Sequence, residues 1–298
     1  MTHTSAFKTP EGEAAYLTAY EDALKSWPVP YEEIEIPGRF GITHVLTCGL
    51  KDAPPLVLLH GYLVTLTMWL PNIEDFSQDY HVYAIDVMGQ PSKSIPDPNE
   101  PIRDVADFLA WLSATLDGLN LECISLVGMS FGGWLALNFA MTSPERVQKL
   151  VLLSPAACFQ PIVSQFGLRG MLMGFFPTRF TVNSLMGWMG FKDTPGDMAT
   201  RNLLNLFYLG MKHFRLQPES MRIMPNMFSD EELSALQVPV LLLIGENEVI
   251  YNAAKALDRA RQLIPNFDGA LVPHCSHDMC ASQYRIVDAR VLDFLKEH

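Results

Sequence analysis

The sequence predicts a doubly wound α/β fold with a mostly parallel sheet and one helical insertion. Three observations predict it. Short, near-continuous apolar runs recur along the chain, as strands buried on both faces of a parallel sheet do. Amphipathic stretches separate most of these runs, which is the alternation of a doubly wound sheet. Residues 160–232, by contrast, contain no convincing strand and several helical pieces.

The elements follow in order. Residues 11–26 place Ala15, Leu17, Ala19, Ala23 and Leu24 among acids, a helical pattern that Trp27-Pro28-Val29-Pro30 ends. Residues 31–37 and 42–49 alternate as two strands, with Pro37-Gly38 as the expected turn. The apolar runs 55–61, 81–87, 123–130, 147–155, 238–245 and 267–274 are the expected central strands. Helices are expected over 101–119, 131–141, 252–264 and 284–298. The chain thus divides into an N-terminal helical extension (1–30), a core in two parts (31–159 and 233–298) and a helical cap (160–232). No internal repeat or low-complexity tract is present.

Composition narrows the function. Hydrophobic residues make up 49% and charged residues 18% of 298, so the chain is globular, with ample length for a core. The net charge is −12, from 33 acidic and 21 basic side chains. Such a charge repels phosphate backbones and argues against a nucleic-acid partner. It also argues against electrostatic binding to an anionic membrane face, and the most apolar region, around Gly170–Gly190, is too interrupted to span a bilayer. The five cysteines, Cys48, Cys123, Cys158, Cys275 and Cys280, are scattered and suggest neither a disulfide framework nor a zinc site. With no signal peptide visible at the N-terminus, a cytoplasmic location is expected. Nothing in the sequence sets an oligomeric state.

The chemistry begins at Gly128-Met129-Ser130-Phe131-Gly132, between a buried strand and an amphipathic helix. A Gly-x-Ser-x-Gly turn in that context strains the serine backbone and lifts its hydroxyl above the sheet edge. Residues two before and two after the serine must be tiny, and both are glycine. The helix that follows points its N-terminus at the same spot, favouring developing negative charge.

On these residues the sequence resembles the α/β-hydrolase superfamily, from about residue 31 to the C-terminus. The resemblance adds His60-Gly61 after one strand and Asp86-Val87-Met88-Gly89 after the next. It also places an acid after a late strand and a histidine before the last helix. It implies Ser130 as nucleophile, His277 as general base and Glu248, three residues after Gly245, as the acid that orients it. His274 is the alternative base and Glu246 the alternative acid. The implied oxyanion donors are the backbone N–H groups of Phe131 and Tyr62. By the same resemblance His60 braces its loop and Asp86 fixes the turn after its strand. Three positions depart from the family pattern. Ser276 replaces a glycine before the histidine, glutamate replaces the commoner aspartate at 248, and Gly89-Gln90-Pro91 replaces Gly-x-Gly. Residues 1–30 lie outside the pattern. Haloalkane dehalogenases and epoxide hydrolases of this fold carry aspartate at the elbow, so serine there points away from both.

The expected substrate is a small-molecule carboxylic ester, cleaved through an acyl-enzyme. Lactone opening, carbon–carbon bond hydrolysis and acyl transfer use the same machinery, and a non-catalytic ligand receptor is a further reading. No phosphate-binding glycine motif or metal cluster is seen, so no cofactor or metal is expected. Nine of the fifteen methionines fall in the insertion: Met171, Met173, Met186, Met189, Met198, Met211, Met221, Met224 and Met227. Phe175, Phe176, Phe180, Trp188, Phe191, Phe207 and Phe214 accompany them. Methionine adapts to apolar groups of differing shape, which suggests a pocket roof; alternatively these residues only hold the insertion to the core. Met171, Trp188 and the elbow residue Met129 are the candidate substrate contacts. Seven basic and six acidic side chains in the insertion nearly cancel, so uncharged esters are expected to be preferred.

Overall fold

The computed structural model describes residues 5–216, 219 and 222–297. The elements begin with α1 (Pro10–Leu24), β1 (Tyr31–Gly38), β2 (Gly41–Cys48), β3 (Pro55–Leu59), α2 (Ile73–Asp79), β4 (His81–Ile85) and β5 (Ile95–Pro96). Next come α3 (Val105–Gly118), β6 (Ile124–Met129), α4 (Phe131–Thr142) and β7 (Val147–Leu153). Three helices follow without an intervening strand: α5 (Ser164–Phe175), α6 (Arg179–Trp188) and α7 (Met198–His213). The chain closes with α8 (Asp230–Ser234), β8 (Val240–Gly245), α9 (Ala253–Leu263), β9 (Phe267–Val272), α10 (Met279–Ser282) and α11 (Tyr284–Lys296).

One mixed sheet runs β1-β2-β4-β3-β6-β7-β8-β9, with β5 paired to β2. The pairs from β4 to β9 are parallel, and those made by β2 are antiparallel. This is the mostly parallel, doubly wound sheet expected from the apolar runs. Every residue of β6 and β8 is buried, whereas β1 at the edge is largely exposed. That contrast is why β1 alternates in sequence and the central strands do not, whereas β2, paired on both sides, is mostly buried.

Two local expectations need correction. Pro37 is not in the turn; β1 continues to Gly38, Pro37 pairs with Ile42, and Arg39-Phe40 make the turn. An edge strand tolerates proline because its missing N–H faces outward. Helix α3 starts at Val105 rather than near Pro101, because Asp104 caps it by accepting the Asp107 N–H at 2.9 Å.

Helix α1, which lay outside the family pattern, is tied into the molecule by its aromatic face. Tyr16 donates to the Pro91 carbonyl at 2.7 Å, and Tyr20 donates to the Asp86 carboxylate at 2.7 Å. Phe7, just before it, bridges to Phe214, just after α7. Among the described residues, no helix is long and apolar enough to cross a membrane.

Candidate active site

The C-terminal ends of the central strands converge on one place. Ser130 follows β6 directly and adopts φ 53°, ψ −113°, a conformation few non-glycine residues accept. Its neighbours hold it there. The Ser130 N–H donates to the Leu153 carbonyl at 2.9 Å, and its carbonyl accepts from Trp134 and Ala156 at 3.0 Å each. A Cβ on Gly128 would run into the Gly132 carbonyl, and one on Gly132 into the Leu59 carbonyl. The sequence places glycine at both positions for that reason.

His277 lies between β9 and α10, buried, with Nδ1 2.8 Å from the Glu248 carboxylate. The other Glu248 oxygen accepts the backbone N–H groups of Val249 and Ile250 at 2.9 and 3.0 Å. Burial alone would raise the Glu248 pKa. The His277 charge, its hydrogen bond and the backbone donors outweigh burial and hold the pKa below the ordinary glutamate value. The Asn247 N–H donates to the Cys275 carbonyl at 2.9 Å, which fixes the loop carrying Glu248 against the one carrying His277. The alternatives sit elsewhere. Glu246 and His274 are both exposed, and the Glu246 carboxylate accepts the His274 backbone N–H at 3.2 Å.

The loop after β3 reaches the elbow from the other side. A Cβ on Gly61 would lie 3.6 Å from Ser130 Cβ. The Tyr62 ring packs on Phe131, with centroids 5.6 Å apart. Neither the Tyr62 nor the Phe131 backbone N–H has a protein acceptor among the described residues. His60 is fully buried; its Nε2 accepts the Val87 N–H at 2.9 Å while Nδ1–H donates to the Gly61 carbonyl at 2.8 Å. With Nε2 occupied as an acceptor the ring is neutral and serves as a brace, and burial lowers its pKa in the same sense. Asp86 ties the turn together. One oxygen accepts the Leu66 N–H at 3.0 Å, and the other takes Tyr20, His44 Nδ1 and the Lys93 N–H.

Ser130, His277, Tyr62, Met129 and Met171 all line one cavity of about 330 Å³ beneath α5, α6 and α7. Its wall also includes Met173, Met186, Met189, Met211 and Met224 from the insertion, and Met68 from the core. Among the described residues, every lining side chain apart from Ser130, Tyr62 and His277 is apolar, and none is a carboxylate, lysine or arginine. Trp188 is a correction, since it is not in the wall. On α6 the inward face is Leu185, Met186 and Met189; Trp188 turns aside, under the Arg169 guanidinium at 5.2 Å. Met198 and Met227 are exposed, Phe175, Phe176 and Phe180 point outward, and Met221 lies outside the described residues. Sequence reasoning missed Met68, which sits in a single helical turn (Leu66–Trp69), and Ile250 of the wall. It also missed Ser154, fully buried after β7, whose hydroxyl accepts the Gly245 N–H at 3.4 Å. A serine-proline pair ending a strand is too common to mark such a residue.

Comparison with known proteins agrees with this architecture. A family profile described as alpha/beta hydrolase fold matches residues 54–282. The chain is 37% identical over 289 residues to an uncharacterized carboxylesterase, nap, of Bacillus subtilis (strain 168), covering 94% of this chain and 91% of that one. It is 34% identical over 301 residues to carboxylesterase YbfK of the same organism, covering 97% and 96%. The crystal structure of naproxen esterase (carboxylesterase NP) from Bacillus subtilis superposes with a TM-score of 0.86 at 34% identity, over 97% of this chain and 100% of that one. With the sheet order, the elbow and these matches in agreement, the chain belongs to the alpha/beta hydrolase fold family.

Proposed function

We propose that this protein is a serine hydrolase that cleaves carboxylic esters of uncharged, fairly hydrophobic substrates. The observation that carries the reading is the buried Glu248–His277 hydrogen bond at 2.8 Å, with His277 and Ser130 opening on the same apolar cavity. The carboxylesterase relatives, similar over nearly their whole length, support ester hydrolysis in particular.

In this reading Ser130 attacks the ester carbonyl carbon. His277 takes the hydroxyl proton and returns it to the leaving alcohol. Glu248 holds Nδ1–H and stabilises the imidazolium. The free N–H groups of Phe131 and Tyr62 receive the oxyanion, helped by the N-terminus of α4. Water then enters, His277 takes its proton, and the acyl group leaves Ser130 as a carboxylic acid. Helices α5 to α7 act as a cap whose methionines shape the acyl or alcohol pocket. A cavity of about 330 Å³ is small, which favours short to medium chains.

The test is labelling by a fluorophosphonate, with the modified residue located by mass spectrometry. Ser130 should carry the adduct, and Ser130→Ala should abolish both labelling and turnover of p-nitrophenyl esters. Labelling at another serine, or an alanine variant that turns over at wild-type rate, would sink the assignment.

A further inference from the structure

Helix α5 is amphipathic in the inverted sense. Leu168, Met171, Leu172 and Phe175 recur at the spacing of one helical face, and that face points outward, with Met171 at its edge both exposed and part of the cavity wall. Phe176 and Phe180 extend it towards α6, and the six side chains are between 52% and 80% exposed. Scattered exposed apolar residues are ordinary, but a contiguous stripe of six large ones marks an interaction surface. The opposite face of α5 carries Gly167, Gly170 and Gly174, which line the cavity. A Cβ on any of them would meet nothing within 4 Å. A single helix, weakened by three glycines, therefore stands between the cavity and this surface.

The stretch of chain that carries the patch is segregated in charge. Residues 160–192 contain Arg169, Arg179 and Lys192 and no acidic residue, so all 33 acidic side chains lie elsewhere in a chain of net charge −12. The partners of the two arginines are neutral. Arg169 donates to Ser184 and stacks on Trp188, while Arg179 donates to Asn205 and stacks on Tyr208. Neither guanidinium has a carboxylate partner among the described residues.

We propose that the outward face of α5 and its continuation to Phe180 docks on an anionic lipid surface. The apolar stripe enters the boundary between head groups and acyl chains, and the cations meet anionic head groups. The acidic remainder is repelled, which orients the molecule with α5 against the surface. Net charge alone argues against such binding, but the sign that matters is local. A second copy is a poorer occupant, because a two-fold contact through this stripe brings Arg169 and Arg179 towards their own copies. The docking places the roof of the cavity where a lipid-dissolved ester would enter. It goes beyond the ester reading, and the deciding readout of its test is vesicle binding rather than turnover.

The experiment is vesicle flotation of the full chain with mixed phosphatidylcholine–phosphatidylglycerol vesicles, phosphatidylcholine vesicles, and no vesicles. The comparison protein is L172S/F175S/F180S, none of whose changes touches the cavity wall. The wild type should float with the anionic vesicles, less with the neutral ones, and be released by added salt. The triple variant should bind roughly tenfold more weakly or less, while hydrolysing a soluble ester at near wild-type rate. If its circular dichroism shows loss of fold, Phe180→Ser alone is read, with a smaller drop expected. Failure of the wild type to float, or equal flotation of a folded variant, overturns the proposal. So does a wild-type dimer on a sizing column that these substitutions dissociate without any vesicle binding, because a second copy then covers the face.

Discussion

Replacing Glu248 by glutamine tests the core of the site with almost no change of shape. One Glu248 oxygen accepts two backbone N–H groups at 2.9 and 3.0 Å, and the other faces His277 Nδ1 at 2.8 Å. A glutamine can satisfy the two backbone donors only with its carbonyl oxygen, so its NH₂ must point at Nδ1. Nδ1 then becomes the acceptor, and the ring proton moves to Nε2. That tautomer cannot take a proton from Ser130, and the imidazolium loses its counter-charge. The expected fall in kcat is roughly three to four orders of magnitude, or about 4–5.5 kcal/mol of transition-state stabilisation. Stability should change by no more than about 1 kcal/mol, because the backbone donors keep their partner. The measurement is kcat on a p-nitrophenyl ester at neutral pH beside the thermal midpoint, with the exposed Glu246→Gln as control. A Glu248→Gln variant within roughly tenfold of wild type would refute the tautomer argument. Damage by Glu246→Gln instead would move the acid by two residues.

Ser130→Ala should fold normally and lose roughly three to six orders of magnitude in turnover, measured on the same esters. Asp288 is fully buried, takes Asn72 Nδ2–H at 2.7 Å, and burial pushes its pKa up from 3.8 to about 8. The folded state then keeps a proton that the unfolded state loses between those values. This group's contribution to stability therefore falls as pH rises, by up to about 2.7 kcal/mol from pH 5 to pH 7. Asp288→Asn should remove that slope, and a difference in Tm between the two proteins that stays constant from pH 5 to pH 8 would show that Asp288 is ionised in the fold. Met173→Ser with Met186→Ser makes the cavity wall polar and should lower kcat/KM for butyryl more than for acetyl esters, by roughly fivefold. A flat chain-length profile that these changes leave untouched would show that the wall does not select the acyl group.

Much of the fold was legible because it depends on local pattern. The runs that became β6 and β8 are near-continuously apolar because both their faces are covered, and that signal survives in sequence without knowledge of the neighbours. Gly128 and Gly132 were legible for a similar reason, since the strain at Ser130 leaves no room for a side chain two residues away on either side. Glu248, three residues past Gly245, could be named from the family pattern together with the chain order of strands. The reach of α1 to Asp86 and the alternative pairing of Pro37 could not, because each depends on what stands across from it in space.

The insertion marks the boundary most clearly. Its sequence by itself determined that it is helical, methionine-rich and free of strand pattern, since these follow from composition and period. Only the tertiary structure decided that Met186 and Met189 face the cavity while Trp188 turns aside, and that Phe175 and Phe180 face outward. A helix with apolar residues on more than one side carries no internal record of which side is buried. That choice is made by the neighbours it packs against, and those are brought together by strands far away in the chain.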